Sequence, residues 1–187
     1  MTTRTHQITV AQYEHSFEGY RGLRDELING RIVMSPKAKP LHQQVRMNIV
    51  RLLEAACEPA KYIVNGNSNI KFPASNSALS PDVFVVETSR WEDAIEKDSY
   101  LDVTPVLVVE VLSPSEDWSE KIGIYLEAGA GSIWVVDPKT RSVLVYAGSE
   151  KRQYGQHAEI NLLFPLRGSV ETDGIFFGLP ESIFYND

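Results

Sequence analysis

The sequence predicts an α/β protein in which helices flank a mixed, twisted sheet, with one β-hairpin before this core and another after it. Apolar residues from Leu41 to Ala56 recur at helical spacing and predict an amphipathic helix. The run 106–112 is apolar almost throughout, which is typical of a strand covered on both faces. A helical segment and a second apolar strand, 133–136, follow it. We expect these two strands to pair in parallel through a right-handed crossover.

Local signals place the elements of the N-terminal region. Thr9 is suited to cap a short helix over residues 11–15. Asn29-Gly30 lies between apolar strand formers in the segment 26–33. This pair favours a two-residue hairpin, because both turn positions need a positive φ. The first hairpin is therefore expected directly upstream of the long helix.

Short apolar runs predict the remaining strands. They are residues 62–64, 70–72 and 81–86, with 65–69 as the turn between the first two, and a closing hairpin formed by 142–146 and 153–160. A second helix is expected to begin at the capping box 113–116, with Ser113 as the cap and Pro114 as the first helical residue. Gly129 or Gly131 is expected to end it.

Length and composition indicate an ordinary globular chain. Its 187 residues suit one domain, 1–187, with 43% hydrophobic and 23% charged residues. No apolar run approaches the ~20 residues that cross a bilayer, and the N-terminus lacks the apolar core of a secretory signal. Cys57 is the only cysteine, which excludes an intrachain disulfide and a cysteine-cluster metal site. We therefore expect a cytoplasmic protein without a membrane partner.

The net charge of −7 argues against tight, non-specific binding of nucleic acid by a single chain. Phosphate contacts normally come from clustered lysine and arginine. The best local basic patch consists of Lys37, Lys39, Arg46 and Arg51, for which a solvated face is the ordinary explanation. An acidic chain remains compatible with a local basic stripe.

Two carboxylates stand out by their context. Asp82 opens a predicted strand, and Glu110 lies inside an otherwise apolar one. Burying a lone carboxylate is costly, so each is expected to be paired, hydrogen-bonded or bound to a cation. Hard oxygen ligands on adjacent strands suit Mg²⁺ or Mn²⁺. Such a cation supplies what phosphodiester hydrolysis needs, because it polarises the phosphoryl oxygen and acidifies the attacking water.

Ordered motifs resemble those of a large bacterial family of nucleases in the PD-(D/E)XK superfamily, long catalogued as a domain of unknown function. The similar segments are Ser80 to Val83, Val109 to Ser115, Asp117 to Tyr125 with Lys121 between them, Ile133 to Pro138, and upstream Glu26 to Gly30 and Ser35-Pro36 with His42. The likeness spans roughly residues 23–147. Each motif is weak alone, and their order makes the set specific.

The resemblance implies a restriction-endonuclease-like αβββαβ core and residue roles to go with it. In this family Mg²⁺ is bound by the residues that match Asp82 and Glu110, and we expect the Val111 carbonyl to be a further ligand. The usual motif has a lysine two residues after the glutamate, where this chain has Leu112. The family's lysine is moved onto the following helix and matches Lys121. Glu26 matches a supporting acidic residue.

Each candidate also has a simpler, structural interpretation. Asp82 suits a strand-entry residue that caps a turn, and Glu110 suits a buried partner of Arg24 or Arg31. Ordinary roles suit the other residues as well: a solvated helix lysine for Lys121, an exposed hairpin residue for Glu26, a capping or packing histidine for His42, and core aromatics for Tyr125 and Trp134. The order of the motifs, rather than any single residue, favours a site.

The function predicted from these residues is Mg²⁺-dependent hydrolysis of phosphodiester bonds in nucleic acid, with DNA as the expected substrate. Asp82, Glu110, Lys121 and Glu26 are the candidate catalytic residues. A homodimer is expected, because two subunits would place paired sites on duplex DNA; the apolar stretches 175–177 and 183–185 are expected to finish the core or form the dimer contact. Two alternatives stay open: a nuclease fold that only binds, and a hydrolase of small phosphate esters.

Overall fold

The computed structural model describes residues 7–16, 23–36, 38–113 and 118–181. The helices are α1 (Val10–Ser16), α2 (Pro40–Ala56), α3 (Thr88–Glu96), α4 (Ser119–Glu127) and α5 (Thr172–Ile175). The strands are β1 (Leu23–Ile28), β2 (Arg31–Pro36), β3 (Tyr62–Asn65), β4 (Ile70–Phe72), β5 (Ser77–Leu79), β6 (Val83–Glu87), β7 (Leu107–Val111), β8 (Ser132–Asp137), β9 (Ser142–Ala147), β10 (Glu150–Tyr154), β11 (Glu159–Asn161) and β12 (Ser169–Glu171).

A six-stranded mixed sheet in the order β10-β9-β8-β7-β6-β3 forms the centre of the fold. Its β7 and β8 are parallel and are joined through α4, whereas its other neighbours are antiparallel. Side chains alternate across β7, so Val109 packs with Ile49 of α2 in one core cluster and Val108 packs with Ile122 of α4 in another. Helices therefore cover both faces, as the apolar character of β7 predicted.

A four-stranded sheet in the order β2-β1-β5-β4 lies beside this centre and carries the N-terminal hairpin. Asn29 and Gly30 have φ values of +49° and +75°, as the predicted two-residue turn requires. Thr9 accepts a hydrogen bond from the Gln12 backbone N–H and so caps α1, which confirms the predicted short helix.

The predicted mixed sheet with flanking helices is confirmed, but several local predictions are wrong. β3 and β4 do not form a hairpin, because β3 pairs with β6 in one sheet and β4 with β5 in the other. Neither β5 nor α3 was predicted. The closing hairpin pairs β9 with β10, whereas β11, placed in its second arm by the sequence, pairs with β12.

The second helix also begins later than predicted. α4 starts at Ser119, six residues after the predicted cap Ser113, so Lys121 is the third residue of the helix. The rest of the proposed capping box, 114–116, lies outside the described residues, as does Asp117.

The C-terminal part of the described chain completes the core. Ile175 and Phe176 are buried in the cluster formed with α2, whereas Phe177 is 75% exposed. The predicted apolar stretch 183–185 lies outside the described residues. No helix within the described ranges combines the length and the apolarity needed to cross a bilayer.

Gly30→Ala should destabilise the folded state by about 1–3 kcal/mol. An added Cβ would lie 2.8 Å from Nδ2 of Asn76, whose amide group holds the backbone of Ile8 and Val10. Gly129 is a matched control, since its φ is +78° and no atom lies within 4 Å of an added Cβ. Gly129→Ala should lower the free energy of unfolding only by the cost of the positive φ, about 1 kcal/mol. Urea denaturation measures both variants, and equal losses would contradict a role for the Asn76 contact.

Candidate active site

Asp82 and Glu110 come together at one end of the β6–β7 pair. Val83 faces Val109 in the antiparallel register, so one further step places Asp82 beside Glu110. Asp82 is 2% and Glu110 4% exposed. The sequence argument that an ionisable residue in an apolar strand needs partners thus applies to both side chains.

The carboxylate of Asp82 is fixed by two neighbouring elements. Its Oδ2 accepts a hydrogen bond of 2.8 Å from the Val111 backbone N–H and lies 3.0 Å from Nε2 of His42 on α2. The backbone carbonyl of Asp82 accepts a bond of 2.8 Å from Nε of Arg46, also on α2. Asp82 therefore joins α2 to the end of β7.

Glu110 is bonded to α4, which crosses the face of the sheet on which its side chain lies. Its Oε1 accepts a hydrogen bond of 2.6 Å from the hydroxyl of Tyr125, and its Oε2 lies 3.9 Å from Nζ of Lys121. Tyr125 is fully buried and packs edge-to-face against Phe72. The core aromatic predicted at this position is thus also a hydrogen-bond donor to the site.

Lys121 pairs most closely with Glu26 of β1. Its Nζ lies 2.6 Å from Oε2 of Glu26, and Oε1 of Glu26 accepts a hydrogen bond of 2.8 Å from the Ser80 backbone N–H. Both residues of the pair are 2% exposed. The interpretations of Lys121 as a solvated lysine and of Glu26 as an exposed hairpin residue are therefore wrong.

Gly66 allows the loop after β3 to lie directly against Asp82. A Cβ at this position would fall 2.0 Å from the Asp82 carbonyl oxygen and 3.1 Å from an Nη atom of Arg46. The contact with the carbonyl involves backbone atoms on both sides and leaves no room for a side chain. This glycine thus lets Arg46 and the loop approach the same carbonyl.

The structure brings together every residue that the sequence proposed for the site: Glu26, Asp82, Glu110, Val111 and Lys121. The proposed partner Arg31 instead binds Glu120, and the side chain of Arg24 lies outside the described residues.

Sequence reasoning missed the contacts that His42, Arg46 and Tyr125 make with the site. The signals were available, because His42 and Arg46 lie four residues apart on one helix, as do Lys121 and Tyr125. Side chains four residues apart share a helix face, so each pair could have been assigned to one site. In the proposed basic patch, Lys39 and Arg51 are exposed, Lys37 lies outside the described residues and Arg46 is directed at Asp82.

The donor set fits a hard divalent cation. Two carboxylates and the nearby Val111 carbonyl are all oxygen donors, which Mg²⁺ and Mn²⁺ prefer. Within the described ranges, no three or more His, Cys, Asp or Glu side chains converge closely enough to hold an ion. A cation here would keep several waters, as Mg²⁺ does when one or two carboxylates and substrate phosphates bind it.

The comparison with known families agrees with this arrangement. The sequence profile of the Uma2 family, described as "putative restriction endonuclease", matches residues 10–169. The chain belongs to the Uma2 family. The resemblance inferred from the motifs is therefore confirmed, and restriction-endonuclease-like families generally use divalent metal ions. The family assignment makes this chain a nuclease-type protein and indicates a hydrolase.

A solved structure similar to this Uma2 chain is that of a putative nuclease belonging to DUF820 from Anabaena variabilis ATCC 29413. The two share 19% sequence identity with a TM-score of 0.73, over 90% of this chain and 97% of that chain. At this identity the likeness shows the fold, and the predicted restriction-endonuclease-like class is confirmed. No curated protein is detectably similar in sequence.

Lys121→Met should destabilise the protein by about 3–5 kcal/mol, because it leaves the Glu26 carboxylate buried without its ammonium partner. Adding Glu26→Gln in the same chain should recover part of this loss, because the unpaired charge is then removed. Urea denaturation of the parent, both single variants and the double variant gives the coupling energy. Additive losses would show that the pair contributes nothing specific to folding.

Proposed function

We propose that this chain is a Mg²⁺-dependent endonuclease, also active with Mn²⁺, that hydrolyses phosphodiester bonds in nucleic acid, with DNA as its substrate. The observation that carries the proposal is the buried pair of carboxylates, Asp82 and Glu110, with the ammonium of Lys121 beside Glu110. The family description and the name of the structural relative support the nuclease chemistry.

Asp82 and Glu110 are the proposed metal ligands, with the Val111 carbonyl as a third. A bound Mg²⁺ would supply polarisation of the phosphoryl oxygen and a lower pKa for the attacking water. The chain's own contribution is rigidity: Val111 N–H and His42 hold Asp82, and the hydroxyl of Tyr125 holds Glu110. Ligands fixed in this way need no rearrangement when the substrate arrives.

Lys121 is the proposed catalytic cation. Its ammonium carries three N–H donors and lies 2.6 Å from Oε2 of Glu26 and 3.9 Å from Oε2 of Glu110. We assign it the role of orienting the attacking water or of stabilising the negative charge that develops on the phosphoryl group. Glu26, itself bonded to the Ser80 N–H, extends the acidic cluster and holds Lys121 at this position.

The acidity of the chain constrains how it meets its substrate. With a net charge of −7, non-specific attraction to phosphates is weak, and only Lys39 and Arg51 of the basic patch proposed from the sequence are exposed within the described part of the chain. A fold that binds nucleic acid without cleaving it, or one that hydrolyses small phosphate esters, would share the same site. Assays of DNA, RNA and a nitrophenyl phosphodiester separate these functions.

Asp82→Asn and Glu110→Gln should each lower Mn²⁺-dependent DNA cleavage by about 1000-fold or more, since each removes a ligand charge from the metal site. Calorimetric titration with Mn²⁺ should show saturable binding in the parent that both variants lose. Asp93→Asn is the control, because Asp93 is a half-exposed carboxylate paired with Lys97 on α3. Circular dichroism confirms that each variant is folded.

Cleavage that survived in folded Asp82→Asn and Glu110→Gln would refute the assignment of the active site. Saturable Mn²⁺ binding without cleavage of any nucleic acid or ester would favour the binding function. Hydrolysis of the small phosphodiester with no action on nucleic acid would favour a hydrolase of small phosphate esters.

A homodimer completes the proposal, because two sites are needed to cut both strands of a duplex in one encounter. Phe164 and Phe177 are 88% and 75% exposed and are the large apolar side chains most suited to a contact between subunits. Sedimentation velocity should give a dimer for the parent and a larger monomer fraction for Phe177→Ser. A monomeric parent at all accessible concentrations would contradict this part of the proposal.

A further inference from the structure

Two polar side chains of α2 reach Asp82 from positions one helical turn apart. His42 contacts the carboxylate, with its Nε2 3.0 Å from Oδ2, and Arg46 contacts the backbone, with its Nε 2.8 Å from the carbonyl oxygen. Residues four apart lie on the same face of a helix, so the first turns of α2 present both donors toward one residue.

We propose that His42 and Arg46 are positioning residues that together fix Asp82 for metal binding, one through its carboxylate and the other through its backbone. This inference rests on the proposed function, in which Asp82 is a metal ligand. It gives α2 the role of holding Asp82, which does not follow from the nuclease fold or from the choice of metal ligands alone.

The contact of His42 helps to fix the carboxylate of Asp82. Oδ2 accepts the Val111 N–H at 2.8 Å, and a second donor at 3.0 Å, Nε2–H of His42, uses its remaining lone pair. The carboxylate is held in one rotamer by donors from β7 and α2, so its direction does not depend on the cation.

A purely packing role for His42 does not account for its surroundings. The side chain is buried, and among the described residues its Nδ1 has no hydrogen-bond partner. Leaving a buried polar atom unsatisfied costs about 1–3 kcal/mol, a cost that an apolar residue of similar size would avoid. The bond from Nε2 to Asp82 is the contact that offsets this cost.

Arg46 fixes the part of Asp82 that the histidine does not reach. Asp82 immediately precedes β6, where its carbonyl lies against the loop that contains Gly66. Because Gly66 has no side chain, Nε of Arg46 and the loop backbone both fit against this carbonyl. The backbone of Asp82 is thereby prevented from turning the carboxylate away from Glu110.

Glutamine and methionine substitutions test both residues. Glutamine places an amide N–H at the position of Nε2 in His42 and of Nε in Arg46, whereas methionine has the same length and no donor. We expect His42→Met and Arg46→Met each to weaken calorimetric Mn²⁺ affinity by about 10-fold or more, the usual effect of losing a group that orients a metal ligand. His42→Gln and Arg46→Gln should stay within about threefold of the parent. Thermal denaturation shows that the variants compared are folded.

The outcomes separate this inference from the proposed function. If the parent binds Mn²⁺ and a folded His42→Met variant binds it equally well, positioning by His42 is overturned while the metal site stands. If Asp82→Asn binds Mn²⁺ as the parent does, the metal-site assignment fails and this inference fails with it. If the methionine variant at a position loses Mn²⁺ affinity and the glutamine variant at the same position keeps the parental affinity, the result supports positioning by that residue.

A metal-free measurement covers the case in which a methionine variant does not fold. In nitrogen-15 spectra of the parent, the ring of His42 should carry its proton on Nε2, and that proton should exchange slowly with water because Asp82 accepts it. Asp82→Ala should abolish the slow exchange. A ring that carries no proton on Nε2 in the parent, or unchanged exchange in Asp82→Ala, would overturn the inference whether or not the protein binds a cation.

Discussion

The buried ion pair between Lys121 and Glu26 is the interaction on which the arrangement of the site depends. Lys121 lies on α4, the crossover of the six-stranded sheet, and Glu26 lies on β1 of the four-stranded sheet. Their contact of 2.6 Å therefore joins the two larger sheets at the place where Asp82 and Glu110 meet. Without the ammonium, the buried carboxylates of the site would lose the cation that compensates their charge, which is strongly destabilising. The pair is thus a condition for assembling the acidic cluster.

The site is built from parts that local sequence does not bring together. Asp82 is held by a backbone donor of β7 and a side chain of α2, and Glu110 is held by two side chains of α4. These supports come from β7, α2 and α4, so the geometry exists only when both faces of the central sheet are covered. A cation that bound only this folded geometry would stabilise the fold, by an amount that grows with the logarithm of the ratio of its concentration to its Kd.

The sequence predicted those features whose physical cause is local. The hairpin at Asn29 and Gly30 follows from two positive φ angles, and α2 follows from the spacing of the apolar residues it buries. Glu110 was recognisable because an apolar strand gives a carboxylate no ordinary partner. By contrast, α3 has only nine residues and a short apolar face: Trp91 and Ala94 pack against the core while none of its residues is fully buried, so the helical period is hard to recognise. The three-residue β5 exists through its pairing with β1 and β4, which no short window of sequence contains.

The site could be predicted as a set of residues but not as a network of contacts. A histidine at the start of a helix suits a packing role as well as a bond to Asp82, since only the position of β6 beside α2 decides between them. The same holds for Lys121, because burial rather than residue type separates a paired lysine from a solvated one. The site also contains part of the chain's negative charge. Three of the 25 acidic residues, Glu26, Asp82 and Glu110, lie buried there. Removing them from the count leaves the rest of the chain still acidic, so the field of the whole protein does not attract a phosphate backbone.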